Sequence, residues 1–280
     1  MIKQTNMLLS CLPRSPRPAL SLYPLLLCAC AATHQSTVQA PPVHTEEAKH
    51  WTYTGDTGPE YWHTLDPAYA LAKDGKSQSP IDIVTAELRA PANDTPGQLV
   101  LAYKETEFEV ENNGHTIELA PLTKDNYISV DGAEPYVLQQ FHFHAPSEHK
   151  IDSEPFPMEL HLVHKDAQGN LAVIGVMIAQ GAENEALKEA FAALPQQLTH
   201  EGSVKPKVKI NVADLFSDTQ GVYRYEGSLT TPPCTEGVKW TIAAEAIELS
   251  PAQIQAFTSL YASNNRPIQA LNGREVYFVK

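Results

Sequence analysis

Tyr136-Val137-Leu138-Gln139-Gln140-Phe141-His142-Phe143-His144 ends in a strict alternation of aromatic and imidazole side chains, the period of two that belongs to a β-strand. His142 and His144 then project to one side, and Phe141 and Phe143 to the other. A later run, Glu159-Leu160-His161-Leu162-Val163-His164, carries Glu159, His161 and Val163 on one face by the same period. If the two strands are antiparallel neighbours, His161 comes opposite the first pair and three imidazoles converge. Zinc held by three neutral histidines keeps a fourth position open for water, as in catalytic rather than structural sites. A lone His-x-His is more often an ordinary surface or half-buried pair. These histidines, however, sit among Phe, Leu and Val on strands that should be mostly buried, where an imidazole needs a partner. His164 follows Val163 and faces away from His161, so a core hydrogen-bonding role is expected of it. His149, beside Glu148, is expected to be structural.

Outward from this pair, short β-prone runs bounded by turn residues recur at 98–103, 107–111, 115–119, 127–130, 222–225, 238–242 and 275–279. Residues 171–179 are nearly continuous apolar sequence, which suits a central strand covered on both faces. Two helices are predicted. Residues 183–194 place Ala186, Leu187, Ala190, Phe191 and Leu194 on one face before Pro195, and Ser250-Pro251 supplies an N-cap and a first-turn proline ahead of Ile254, Phe257 and Leu260. Strands that adjoin without helical crossovers predict a mainly antiparallel sheet. The expectation is a mainly β single domain with a few short helices around a large, twisted, mostly antiparallel but mixed central sheet.

The 280 residues, 42% hydrophobic and 19% charged, are ordinary for a globular protein. At that size one domain can bury roughly three quarters of its unfolded surface. The first 29 residues carry Lys3, Arg14 and Arg17, no acid, and an apolar stretch at 25–32 too short to cross a bilayer as a helix. Residues 1–29 are therefore predicted to be an export signal, and Leu27-Cys28-Ala29-Cys30 resembles a lipobox whose final cysteine is a candidate for lipidation. The expected location is the periplasm or the cell envelope, with Cys30 as the membrane attachment. Loss of three cationic residues with the signal would move the formal net charge from −13 to −16 (−13 − 3), which makes nucleic acid an unsuitable partner. Residues 30–49 are polar, with Pro41-Pro42, and predict a flexible tether, leaving 50–280 as the folded domain. Cys234 is alone there, so no internal disulfide can form. The expected assembly is a monomer or a homodimer.

The histidine runs, together with Gln78-Ser79-Pro80-Ile81-Asp82-Ile83, Asn112-Asn113-Gly114-His115 and Gly227-Ser228-Leu229-Thr230-Thr231-Pro232-Pro233, resemble the α-class carbonic anhydrases from about His50 to Lys280. The resemblance implies that fold, Zn2+ on His142, His144 and His161, and reversible hydration of CO2 to bicarbonate and a proton, with an esterase side activity. It implies that Gln140 and Glu159 support His142 and His161, and that a backbone carbonyl, from Asn264, supports His144. It implies that Thr230 donates its hydroxyl proton to Glu148 and so must accept from the zinc-bound nucleophile, since a hydroxyl can donate only once. His115 matches a proton shuttle, Tyr53 and Asn113 a relay of waters, and Val163, Val173, Leu229, Thr231 and Trp240 the substrate pocket.

Two departures stand out. Many bacterial relatives bridge a cysteine at the position of Cys234 to one where this chain has Ala72; a disulfide of that kind contributes about 2–4 kcal/mol. Ala145 replaces the tryptophan that animal members carry after the second histidine. Two rival classes are a cupin-like iron or manganese protein using Glu148, and a ligand-stripped binding module, which the survival of all three histidines disfavours.

Overall fold

The computed structural model describes residues 50–90, 99–130, 132–215 and 221–280; the expected signal and tether lie outside them. No described helix is long and apolar enough to cross a membrane. The strands are β1 (Asp82–Ile83), β2 (Leu99–Ala102), β3 (Glu105–Asn112), β4 (Ile117–Pro121), β5 (Tyr127–Val130), β6 (Tyr136–His144), β7 (Lys150–Ile151), β8 (Glu154–Pro155), β9 (Met158–Lys165), β10 (Leu171–Gln180), β11 (Lys207–Asn211), β12 (Val222–Ser228), β13 (Glu236–Ala243), β14 (Ile247–Leu249) and β15 (Tyr277–Val279). Twelve of them form one sheet along the path β11-β3-β4-β6-β9-β10-β13-β12-β15, with β2, β5 and β14 attached at its sides, while β1, β7 and β8 form a small second sheet. Within the large sheet β10 pairs parallel with β13 and β14, and the other strand pairs are antiparallel, so the sheet is mixed as expected.

The helices are α1 (Trp62–Leu65), α2 (Leu71–Asp74), α3 (Lys188–Ala192) and α4 (Pro251–Thr258). Ser250 caps α4, accepting from the Gln253 amide while Gln253 Oε1 accepts from the Ser250 amide, the reciprocal arrangement that satisfies two orphan donors. The predicted helix over 183–194 shrinks to α3. Its first half is claimed by other partners: Asn184 exchanges hydrogen bonds with the Gln253 side chain, and the Ala182 amide donates to Glu248, so tertiary contacts override helical periodicity.

The sheet separates two apolar clusters. One holds Phe108, Phe141, Phe143, Leu160, Leu162, Ile174, Val176 and Phe257, and the other Ile81, Ile83, Val173, Tyr225, Trp240 and Val276. β10 contributes to both, which explains its unbroken apolar run. β6 contributes to the first cluster alone, and it does so along its whole length only because it is irregular. Its register with β9 shifts between Leu138 and Gln140, so that Tyr136 and Leu138 face the first cluster together with Phe141 and Phe143. An uninterrupted strand would have put Leu138 and His142 on the same side; the extra residue, Gln139, switches the parity.

Candidate metal centre

Register then decides which side chains meet. His142 on β6 lies opposite His161 on β9, and Gly175 on β10 lies opposite His161 from the other side; Glu118 on β4 flanks His142. Two register pairs further along, on the same face, His144 lies opposite Glu159. One ring nitrogen from each of His142, His144 and His161 lies within 4.8 Å of the other two.

The remaining nitrogens are all spoken for. His142 Nδ1 donates to Gln140 Oε1 at 2.7 Å, His144 Nδ1 to the Asn264 carbonyl at 2.7 Å, and His161 Nε2 to Glu159 Oε1 at 2.8 Å. Fixing one nitrogen as a donor leaves the other with a bare lone pair, which is how an acceptor sets the tautomer of a ligand. Glu159, wholly buried, also accepts from His149 Nδ1 and from the backbone amides of Glu148 and His149. A line of donors continues from there: the Ser228 amide to Ser79 Oγ, Ser79 to Tyr225 Oη, and Tyr225 to His149 Nε2 at 2.6 Å. His149 is thus structural in the sense expected, one step removed from His161.

The electrostatics follow from this wiring. Burial, reinforced by the neighbouring imidazoles, pushes the basicity of His142 well below the ordinary range, and His144 is lowered mainly by burial, so both stay neutral and available as donors of lone pairs. Burial would lower His161 too, but the charge and hydrogen bond of Glu159 outweigh it and the net direction is upward. The surrounding donors hold Glu159 itself far below the usual carboxylate range despite its burial.

Two buried polar atoms aimed into the cluster, His144 Nε2 and Glu148 Oε2, have no hydrogen-bond partner among the described residues. Glu148 Oε2 lies 3.5 Å from His144 Nε2 and 3.8 Å from His161 Nδ1, while its Oε1 accepts from the Arg266 amide at 2.7 Å. Thr230 is buried on the loop that follows β12; the expected hydrogen bond to Glu148 is not formed, and Glu148 Oε2 lies toward the imidazoles. Three ring nitrogens whose partners across each ring are committed to acceptors, converging beside an unpartnered carboxylate oxygen, fit a tetrahedral cation such as zinc.

A cavity of about 100 Å³ opens onto this cluster, lined by Trp51, Tyr53, Asn113, His115, Thr116, Glu118, Gln140, His142, His144 and Thr231. His115 sits at its rim, where the Asn113 side chain caps the His115 and Thr116 amides; that Asx turn is why β4 begins two residues later than its apolar pattern suggests. The His115 ring stacks on Trp51 at 3.6 Å between centroids and on His50 at 4.8 Å. Burial, and then the His50 charge, push its pKa down to about 4. Val163, Val173 and Trp240 form one row across β9, β10 and β13 and pack with Leu229 in the second apolar cluster, outside the lining of the cavity, with Trp240 4.9 Å from the His161 ring. Cys234 is fully buried, its thiol pushed up to about 11 by burial, so it is inert and out of reach of an intermolecular bridge.

Several members of this site carried no obvious sequence signal. Glu118 and Thr116 could have been found from the period of β4 once its start was known, whereas Gly175, Tyr225 and Arg266 reach the site only through tertiary pairing. The sequence profile of the eukaryotic-type carbonic anhydrases matches residues 57–280. A carbonic anhydrase of Klebsiella pneumoniae is 40% identical over 232 residues, covering 82% of this chain and 91% of that protein. One from Neisseria gonorrhoeae is 39% identical over 267 residues, covering 95% and 99%. The structure of the α-carbonic anhydrase of Thermovibrio ammonificans, in complex with the inhibitor sulfanilamide, superposes with a TM-score of 0.73 at 41% identity, over 81% of this chain and 98% of that one. With profile, identity and fold in agreement over most of its length, the chain belongs to the α-class, or eukaryotic-type, carbonic anhydrase family.

Proposed function

We propose that the chain is a zinc enzyme for the reversible hydration of CO2 to bicarbonate and a proton, with an esterase side activity from the same nucleophile. The observation that carries the reading is the set of three buried imidazoles whose outer nitrogens are each committed to an acceptor, Gln140, the Asn264 carbonyl and Glu159. His142, His144 and His161 would hold the metal. Zinc, when bound to three neutral ligands, makes hydroxide available from water at about pH 7, a general property of carbonic anhydrases, which are the standard example of the effect.

The protein's own groups set the rest. Glu148, held by the Arg266 amide, presents a carboxylate oxygen to the cluster, and Thr230, by turning its hydroxyl proton toward that oxygen, would be left to accept from the nucleophile and so aim its lone pair. CO2 is apolar and needs a small greasy wall in place of hydrogen bonds; Val163, Val173, Leu229 and Trp240, packed together beyond the cavity lining with Trp240 against the His161 ring, would supply one, and Thr231, which does line the cavity, its polar edge. The proton leaves through Tyr53, Asn113 and His115. Stacked as it is, with a pKa near 4, the His115 imidazole is a poor acceptor at neutral pH. Relay therefore requires the ring to part from Trp51 and His50 toward solvent, where the ordinary value of about 6.5 returns. Residues 1–29 serve as the export signal and 30–49 as a tether, with lipidated Cys30 anchoring the domain in the cell envelope.

The deciding experiment is stopped-flow CO2 hydration on the metal-analysed protein, before and after chelation. Stoichiometric zinc, activity abolished by the chelator and restored by zinc alone, supports the reading; an inert zinc-loaded protein, or iron with oxygen-dependent turnover, overturns it. The intact mass of the envelope-extracted protein tests the lipid, which Cys30→Ser should remove.

A further inference from the structure

Arg266 is 1% exposed, an expensive place for a guanidinium that stays charged in proteins, and none of the described residues forms a carboxylate ion pair with it. What holds it is a ring of neutral acceptors. Nη1 donates to Gln78 Oε1 and to the Ser79 carbonyl, each at 2.8 Å, Nη2 donates to the Ala72 carbonyl at 2.9 Å, and the cation lies 5.6 Å above the Trp62 ring. This cost is met for a group that touches neither the imidazoles nor the cavity.

Its connections lead to both halves of the orienting apparatus. The Arg266 backbone amide is the donor that pins Glu148 Oε1. Gln78, whose oxygen the guanidinium occupies, turns its own nitrogen on the neighbouring loop, donating to the Cys234 carbonyl at 3.0 Å and to Glu236 Oε1 at 3.1 Å. The Cys234 amide in turn donates to the Thr231 carbonyl, and the Leu229 amide to the Thr235 carbonyl. These bonds close the turn that carries Thr230. One buried cation thus stands between the carboxylate on one side and the threonine loop on the other, residues more than thirty positions apart in sequence from it.

We propose that the Arg266 side chain is a positioning residue that, through Gln78 and through its own amide, sets the spacing between the Thr230 loop and the Glu148 carboxylate. The proposal rests on the carbonic anhydrase reading above. Lysine cannot replace it, because three acceptors in different directions require the two nitrogens of a planar fork and an ammonium is a single point. Misplacing an orienting group by about 1 Å can cost on the order of 100-fold in rate, so a modest slackening of this clamp should be visible in turnover.

The test uses Arg266→Lys, Gln78→Met and the double variant in the full-length zinc-loaded protein. Measured are kcat and KM for CO2 hydration, zinc affinity by chelator competition, and the thermal unfolding midpoint. Neither residue touches a metal-binding histidine, so zinc affinity and KM should each stay within about twofold while kcat falls about tenfold in each single variant. The double variant should be no worse than the poorer single one, because both break the same chain of contacts. A folded, zinc-replete single variant with wild-type kcat overturns the proposal, as does a double variant whose losses multiply. A lowered melting temperature with kcat per zinc unchanged would assign Arg266 to stability alone, which also overturns it. Should Arg266→Lys fail to fold, Gln78→Met decides on the same criteria, since it leaves the guanidinium its Ala72 and Ser79 carbonyls. An inactive wild-type protein would be a different result: it removes the hydratase reading itself.

Discussion

His161 and His164 sit three residues apart on β9, and both are buried to within 1%, yet they have become different chemical groups. His161 faces Glu159, which accepts its Nε2 proton and raises its basicity, and its other nitrogen points at two more imidazoles. His164 faces the first apolar cluster, where Tyr103 Oη meets Nε2 at 2.7 Å, Nδ1 has no hydrogen-bond partner among the described residues, and burial lowers the pKa to about 3. Even their cross-strand neighbours on β10 differ by one methyl group, Gly175 for His161 and Ala172 for His164. Burial is common to the two. What separates a candidate metal ligand from a core residue is the acceptor behind the ring and the space in front of it.

The comparison breaks most severely if the acceptor is removed. Glu159 takes four donors on two oxygens, and Glu159→Gln replaces one of those oxygens by an amide that donates against them. Zinc affinity should fall about 10- to 100-fold, measured by chelator competition, with a lower thermal midpoint. Retention of full affinity would mean that the tautomer of His161 is fixed by something else.

The second effect concerns His164 and depends on pH. A histidine whose native pKa is depressed stays neutral in the fold while the unfolded chain takes up a proton below about 6.5. Its contribution to stability is therefore intact above that value and is lost progressively as pH falls toward about 3. By pH 4 the loss amounts to roughly 3 kcal/mol at 1.36 kcal/mol per unit. His164→Gln, which cannot titrate, should escape it. Urea unfolding of the zinc-free proteins at pH 7.5 and 4 should show the variant gaining on the wild type by about that amount, with CO2 hydration at pH 7.5 unchanged. A difference that does not move with pH would show that His164 accepts its proton in the native state.

How much of this could be read beforehand follows the range of the interactions involved. Period-two patterning located β6 at its observed bounds and put His142, His144 and His161 on mutually accessible faces, because alternation is a property of neighbouring residues. It could not show the irregularity at Gln139 that sets the parity of β6, nor the Lys-Val-Lys-Ile-Asn edge strand β11, whose alternation is clear only once Pro206 is known to end the preceding loop. The 183–194 helix failed for the same reason in reverse: a good local pattern lost to hydrogen bonds from Gln253 and Glu248, more than sixty residues away. The acceptors behind the histidines divide likewise. Gln140 and Glu159 lie two residues from their rings and share a face with them by the strand period, but their supporting roles, like that of the Asn264 carbonyl, came from family resemblance; the Arg266–Gln78 link, 188 residues apart, came from neither.

The smallest effect tests the space in front of the ring. A Cβ at Gly175 would meet Ile242 Cδ1 at 2.6 Å and Glu159 Oε1 at 3.1 Å. Ile242 can rotate its terminal methyl away, but Glu159 Oε1 is held by His149 and His161 and has little freedom to retreat. In an ordinary strand Gly→Ala would stabilise by about 0.5–1 kcal/mol through lost backbone entropy; here overpacking of about 1–3 kcal/mol opposes it. The net expectation for Gly175→Ala is a loss of about 1 kcal/mol in urea unfolding at pH 7.5, together with a severalfold weaker grip on zinc as Glu159 is displaced from His161. A variant more stable than the wild type, with zinc binding intact, would show that the His161 face has room to spare and that the missing methyl is not what distinguishes it from the face of His164.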